Sequence, residues 1–258
     1  MERLQPHGTD ADGYILTVSN VEMQPQFQAL LTDVCMTLAR PEPVLDGIYL
    51  YGSVARGDAV PGVSDLDLTL ILHSPPTSQG LELLESKRRT LESRHTEVTK
   101  IDFDIGSRAE VLAPDNRLSW GYWLKHHCRC LWGNDLSKRF DRFKPSRAIA
   151  IAVNGDFESV LTRYADLIDQ ATTPTQLLRL QREASRKLIR STQVLRSEQD
   201  LMWPQTLEEL VEQFVQHYPS MRMQISFFLS QARNPDAKPK KFTTQLHHFL
   251  TWMATQTG

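Results

Sequence analysis

The hydrophobic period of this 258-residue chain changes near its middle, and that change constrains the fold more than any other feature. Up to about residue 140, short apolar runs end in turn signals. Gly47 to Tyr51 runs into Gly52-Ser53, Leu66 to Leu72 into His73-Ser74-Pro75-Pro76, and Val98 to Ile105 into Gly106-Ser107. These runs read as strands. Between them lie helical patterns, one with Phe27, Leu30, Leu31, Val34 and Leu38 on a single face and another over the charged stretch 80–94. Strands alternating with helices predict an α/β domain. Beyond it the spacing is helical throughout: Phe157, Val160, Leu161, Tyr164 and Ile168, then Leu177, Leu180, Ala184, Leu188 and Leu195, then Leu207, Leu210, Val211 and Phe214. Pro174, Pro204, Pro219 and Pro235 punctuate this half, and Thr206 with Glu209 makes a capping-box pattern. The expectation is a bundle of about four or five helices. The break falls between Phe140 and Pro145, which gives domains 1–142 and 143–258.

Composition narrows the function classes. The chain has 29 Lys and Arg against 31 Asp and Glu, a formal charge of −2, so it lacks the basic excess that draws proteins onto nucleic acid. The charge is unevenly shared: residues 1–140 carry 14 basic and 19 acidic side chains, residues 141–258 carry 15 and 12. No run approaches the ~18 consecutive apolar residues that a membrane span needs, and the opening residues hold no apolar signal core. Cys35, Cys128 and Cys130 form neither a disulfide framework nor a paired zinc pattern, as suits a reducing compartment. These features predict a soluble, cytoplasmic protein.

The segment that carries chemistry is Tyr49-Leu50-Tyr51-Gly52-Ser53-Val54-Ala55-Arg56-Gly57-Asp58, followed by Asp65-Leu66-Asp67-Leu68-Thr69-Leu70. A strand ending in Gly-Ser before a short helix offers backbone N–H groups and a hydroxyl to a phosphate, and small residues let that phosphate approach. Side chains at i and i+2 of a strand share a face, so Asp65 and Asp67 project together while Leu66, Leu68 and Leu70 pack beneath. Two carboxylates so placed repel each other unless a divalent cation sits between them. A third acid is available from Lys100-Ile101-Asp102-Phe103-Asp104-Ile105, with Asp102 and Asp104 competing for the position. A phosphate cradle beside a metal cluster points to phosphoryl or nucleotidyl transfer.

In these residues the chain resembles the DNA polymerase beta-like nucleotidyltransferase superfamily: an apolar strand, Gly-Ser, about ten intervening residues, and two acids at i and i+2. The superfamily's third acid, set between apolar residues on a later strand, is matched by Ile101-Asp102-Phe103. The likeness covers roughly residues 45–105. The wider layout is similar to antibiotic (aminoglycoside) adenylyltransferases. The resemblance implies an α+β catalytic domain with a mixed sheet followed by an all-α helical bundle. It also implies that Gly52 and Ser53 hold the β- and γ-phosphates of ATP or another nucleoside triphosphate. Asp65, Asp67 and Asp102 would bind two magnesium ions, with Asp102 activating the acceptor hydroxyl. Arg56 is a candidate for the γ-phosphate, or a surface partner of Asp58. Related enzymes that build a site across a homodimer allow the same here. Transfer to a protein or an RNA, and a non-catalytic antitoxin role, are the alternatives. The Arg, four to six residues, His pattern expected of the antitoxin fusion does not occur around His217, His247 or His248.

Other patterns carry less. Gly52 to Gly57 begins a phosphate-binding loop, but Asp58 stands where Lys is required, and no G-x-G-x-x-G follows a strand. Gly106-Ser107 and Asp10-x-Asp12 read as turns. His126-His127-Cys128-Arg129-Cys130 contains zinc-ligand types without a second pair, and reads as part of a packed helix, with His126 and Cys130 on one face. Lys238-Pro239-Lys240-Lys241 reads as a solvated loop. Arg182, Arg186 and Arg190 form a basic stripe with Lys187 adjacent. It is either a solvated face paired with acids such as Glu183 or, through Arg186 and Arg190, a source of cations for the triphosphate.

Overall fold

A computed structural model describes residues 8–18, 22–39 and 43–257. The chain divides into two compact units, one made of residues 15–143 and the other of residues 1–14 with 144–258.

The first unit is built on a four-stranded mixed sheet. Its elements in chain order are α1 (Gln28–Leu38), β1 (Leu45–Tyr51), α2 (Gly52–Arg56), β2 (Leu66–Leu72), α3 (Ser78–Arg94), β3 (Ile101–Ser107), α4 (Arg108–Val111), α5 (Tyr122–His126) and β4 (Arg129–Gly133). The strand order is β3-β2-β1-β4. β1 is antiparallel to β2 and β4, and β2 is parallel to β3.

Alternation sorts β2 as its sequence requires. Leu66, Leu68, Leu70 and Leu72 pack with Ile48 and Leu50 against Leu30, Leu31, Val34 and Leu38 of α1 and Leu84 and Leu91 of α3. Full burial of each such side chain is worth about 1.5–3 kcal/mol. On the other face Tyr49 and Ile71 meet Val111, Leu124, Cys128 and Leu136. This second layer is shorter, and it leaves the end of the face near Gly52 to Asp65, Asp67, Asp102 and Asp104. Gly106-Ser107 closes β3, and Ser107 caps α4 in a capping box with Glu110 rather than making a free turn.

Cys130 lies in a strand and not on a helix with His126. The helix stops at His126, and the chain turns back to pair Cys130 with Tyr49. Buried His126 instead ties the ends of the unit together. Its Nδ1 bonds the Leu16 carbonyl at 3.1 Å and its Nε2 accepts from the Phe143 N–H at 3.0 Å, while the Ile15 N–H donates to the Phe143 carbonyl at 2.9 Å. Burial pushes the His126 imidazole down to about 4, so it stays neutral, as an accepting Nε2 requires.

The second unit contains α6 (Arg147–Asn154), α7 (Phe157–Asp169), α8 (Pro174–Ser191), α9 (Leu207–His217), α10 (Arg222–Arg233) and α11 (Pro239–Thr257). The apolar faces read from the sequence form one core, with Leu161, Ile168, Leu188, Phe214, Ile225, Phe228, Phe242 and Phe249 inside it. Thr206 and Glu209 make the expected capping box, and Pro174 opens α8 at its first turn. The segment Lys238 to Lys241 is not a loop as expected: Pro239 starts α11, so Lys240 and Lys241 are exposed in its first turn. Trp203 is buried under the Arg196 guanidinium, 4.6 Å above its ring. Asp10 makes the expected turn, its Oδ1 accepting from the Asp12 and Tyr14 N–H groups. No helix among the described residues is long and apolar enough to cross a membrane.

Candidate active site

The bend at the end of β1 is set by Gly52. Its φ of 74° is a conformation that side-chain-bearing residues rarely adopt, and a Cβ there would lie 1.9 Å from Asp67 Oδ2. Glycine is therefore needed on two counts, and the missing side chain is what lets the Asp67 carboxylate rest against the bend. Ser53 and Arg56 follow on α2, which ends at Gly57 in the left-handed conformation. Arg56 is exposed and its Nε pairs with Asp58 Oδ2 at 3.3 Å, the surface pair weighed as an alternative.

Register, which spacing alone does not reveal, decides which acids are neighbours. Tyr51 of β1 lies opposite Asp67 of β2, and Asp67 lies opposite Asp102 of β3. Asp104 lies opposite Thr69, one step further from the bend. Asp102 is thus the acid beside Asp67, and Asp65, two residues back, shares the face.

The acids strain against one another. Burial pushes the Asp67 carboxyl up to about 6, and the negative charges of Asp102 and Asp65 push the same way, with Lys100 and Arg56 opposing. The Tyr51 phenol is raised too, by burial first and then by Asp67, Asp104 and Asp102. Two of the three acids are held by the segment entering β3: Lys100 Nζ pairs with Asp102 Oδ2 at 2.7 Å, and the Thr99 hydroxyl donates to Asp65 Oδ1. As the side chains stand, no three His, Cys, Asp or Glu residues among the described residues are grouped to hold a metal ion.

The residues nevertheless fit magnesium. Their donors are carboxylate oxygens, the type this ion takes, and the Gly52 cradle leaves space where a Cβ would otherwise block Asp67. Asp67 and Asp102 sit opposite each other on paired strands, which lie ~4.8 Å apart.

Aromatic residues border the acidic strip. Trp123 meets Tyr51 edge-on at 4.9 Å and stacks on His127 at 5.1 Å, and its Nε1 donates to Thr69 Oγ1 at 3.2 Å. Trp120 donates to Glu110 Oε1 at 3.1 Å. Sequence reading passed over Lys100, Thr99 and Trp123 as site neighbours, because only the pairing of β2 with β3 and the folding of α5 across the sheet bring them here.

Residues 37–115 match the family described as the nucleotidyltransferase domain. The match covers about a third of the chain. The matched segment contains Gly52, Ser53, Arg56, Asp65, Asp67 and Asp102, and extends on both sides of the stretch that showed the superfamily resemblance. No curated protein matches the sequence. In fold, the chain is similar to the crystal structure of a spectinomycin adenyltransferase from Enterococcus faecialis with ATP and spectinomycin. The TM-score is 0.53 at 15% identity, over 89% of this chain and 100% of that one. The likeness meets the expected layout of a mixed-sheet domain followed by helices.

In the second unit, Arg182, Arg186 and Arg190 are exposed along α8 as the four-residue spacing predicts. Glu183 pairs with Arg179 at 3.8 Å, and Lys187 with Asp156 at 2.7 Å.

Proposed function

We propose that this protein is a magnesium-dependent enzyme that transfers a nucleoside monophosphate, AMP from ATP, to a hydroxyl of a small-molecule acceptor and releases pyrophosphate. The observation that carries this reading is the row Tyr51, Asp67 and Asp102 across neighbouring strands, with Asp67 resting against the Gly52 bend. The nucleotidyltransferase-domain match supports the reaction class, and the ATP and spectinomycin of the similar structure support this donor and a small acceptor.

In this reading the Gly52 and Ser53 N–H groups and the Ser53 hydroxyl bind the β- and γ-phosphates, with Arg56 able to leave its exposed Asp58 pair for the γ-phosphate. Asp65, Asp67 and Asp102 would hold magnesium, which when bound supplies Lewis-acid polarisation of the α-phosphate and neutralises charge on the departing pyrophosphate. Asp102 accepts the proton of the acceptor hydroxyl. The freed oxygen forms a bond to the α-phosphorus as the bond from that phosphorus to the bridging oxygen breaks, and pyrophosphate leaves with the electron pair. Asp104 and Glu110, near the same strip, favour an acceptor that carries positive charge.

The test is a pyrophosphate-release screen, with and without magnesium, using ATP and other triphosphates against aminoglycosides, other hydroxyl metabolites, proteins and RNA. Release with ATP and a small acceptor, lost in Asp67→Asn, is expected. Release that survives Asp67→Asn, or that needs a protein or RNA acceptor, would overturn the assignment.

A further inference from the structure

The segment entering β3 delivers a cation to the acids. It is pinned by its backbone: the Gly62 N–H donates to the Glu97 carbonyl at 2.8 Å, Thr99 N–H to Ser64 at 3.0 Å, and Leu66 N–H to Lys100 at 2.9 Å. Lys100 and Asp102 stand two residues apart and share a strand face, and the ammonium meets Asp102 Oδ2 at 2.7 Å. The same ammonium is the first of the positive charges that act on Asp67.

We infer that Lys100 is a resident counterion of the site: its ammonium occupies Asp102 until a divalent cation enters, and metal affinity is set by competition with it. The inference rests on the reading of Asp65, Asp67 and Asp102 as metal ligands. The chemistry is symmetrical, since an ammonium and magnesium both seek carboxylate oxygen and repel each other at one oxygen. Lys100 can yield, because its side chain is 36% exposed on a flexible stem and the displaced head group is rehydrated at once. An exposed pair of this kind is weak, so it tunes metal binding without forbidding it. The device keeps the acids paired before the metal arrives and favours metal delivered together with a polyanion, whose charge offsets the repulsion from the lysine.

The test uses manganese as the probe, bound to the full chain without nucleotide or acceptor and followed by electron paramagnetic resonance. Lys100→Met is expected to tighten manganese binding by about three- to tenfold, the scale of losing one exposed competing pair and its repulsion. Lys100→Arg, which keeps the charge, is expected to stay within about twofold of the parent. The gain in Lys100→Met should vanish when Asp102→Asn is added. A measurement on the unsubstituted protein is independent of these variants: the Lys100 Nζ resonance should move to the position of a solvated lysine as magnesium is added. Unchanged or weaker manganese binding in Lys100→Met, or a resonance that does not move while metal binds, overturns the counterion role alone. Manganese binding untouched by Asp102→Asn and by Asp67→Asn removes the metal-site reading beneath it.

Discussion

Asp67→Asn should make the metal-free protein more stable at neutral pH while removing its activity. The Asp67 carboxyl titrates at about 6 in the folded chain against an ordinary value of 3.8. A group whose folded value is raised favours the fold while it is protonated. Its contribution is therefore complete below pH 3.8 and is lost as the pH climbs through about 6. Above that range the ionised carboxylate holds the native state down by at most about 3 kcal/mol, taking ~1.4 kcal/mol for each unit of separation. Asparagine has the same shape and no charge, so the variant should gain about 1–3 kcal/mol at pH 7.5 in a chelator and nothing near pH 4. Hydrogen exchange of the β2 amides reads this unit separately from the helices. Adding magnesium should stabilise the parent and not the variant, which narrows the gap. A variant that is less stable at pH 7.5, or a difference that does not change with pH, would refute the argument that Asp67 is strained by burial and by its acidic neighbours.

Two further perturbations separate the parts of the site. Gly52→Ala should cost more than the ~1–3 kcal/mol of an unfavourable backbone conformation, because its Cβ strikes Asp67; Gly62→Ala, with the similar φ of 72° and nothing within 4 Å, isolates the backbone cost. Equal losses in chemical denaturation would discount the collision. Asp102→Asn should lower kcat by at least about a hundredfold, the scale of losing a general base, and Asp104→Asn by far less; the reverse order in pyrophosphate-release kinetics would exchange their roles.

How far the fold could be read from the sequence depended on whether a residue's partners lay nearby in the chain. β1, β2 and β3 announced themselves because their alternation serves a single sheet face or a leucine-rich layer. β4 did not: Arg129-Cys130-Leu131-Trp132-Gly133 follows a helix directly, is short, and exists as a strand because β1 offers it an edge. The same limit applies to the site. Gly52, Ser53, Asp65 and Asp67 stand within one local pattern. The choice of Asp102 over Asp104 as the neighbour of Asp67 rests on a parallel register set by packing between distant segments. Lys100 was in view as a residue, but its role as a partner was hidden until that register fixed its distance from the acids.

The buried imidazole at position 126 fastens the chain where it enters residues 15–143 and where it leaves them, and Ile15 bonds directly to Phe143. A module whose two ends meet is a loop closed by its own stitching. It can be excised, rejoined end to end or transplanted between helices without rethreading the chain, so evolution could exchange one half of such a protein while leaving the other half in place.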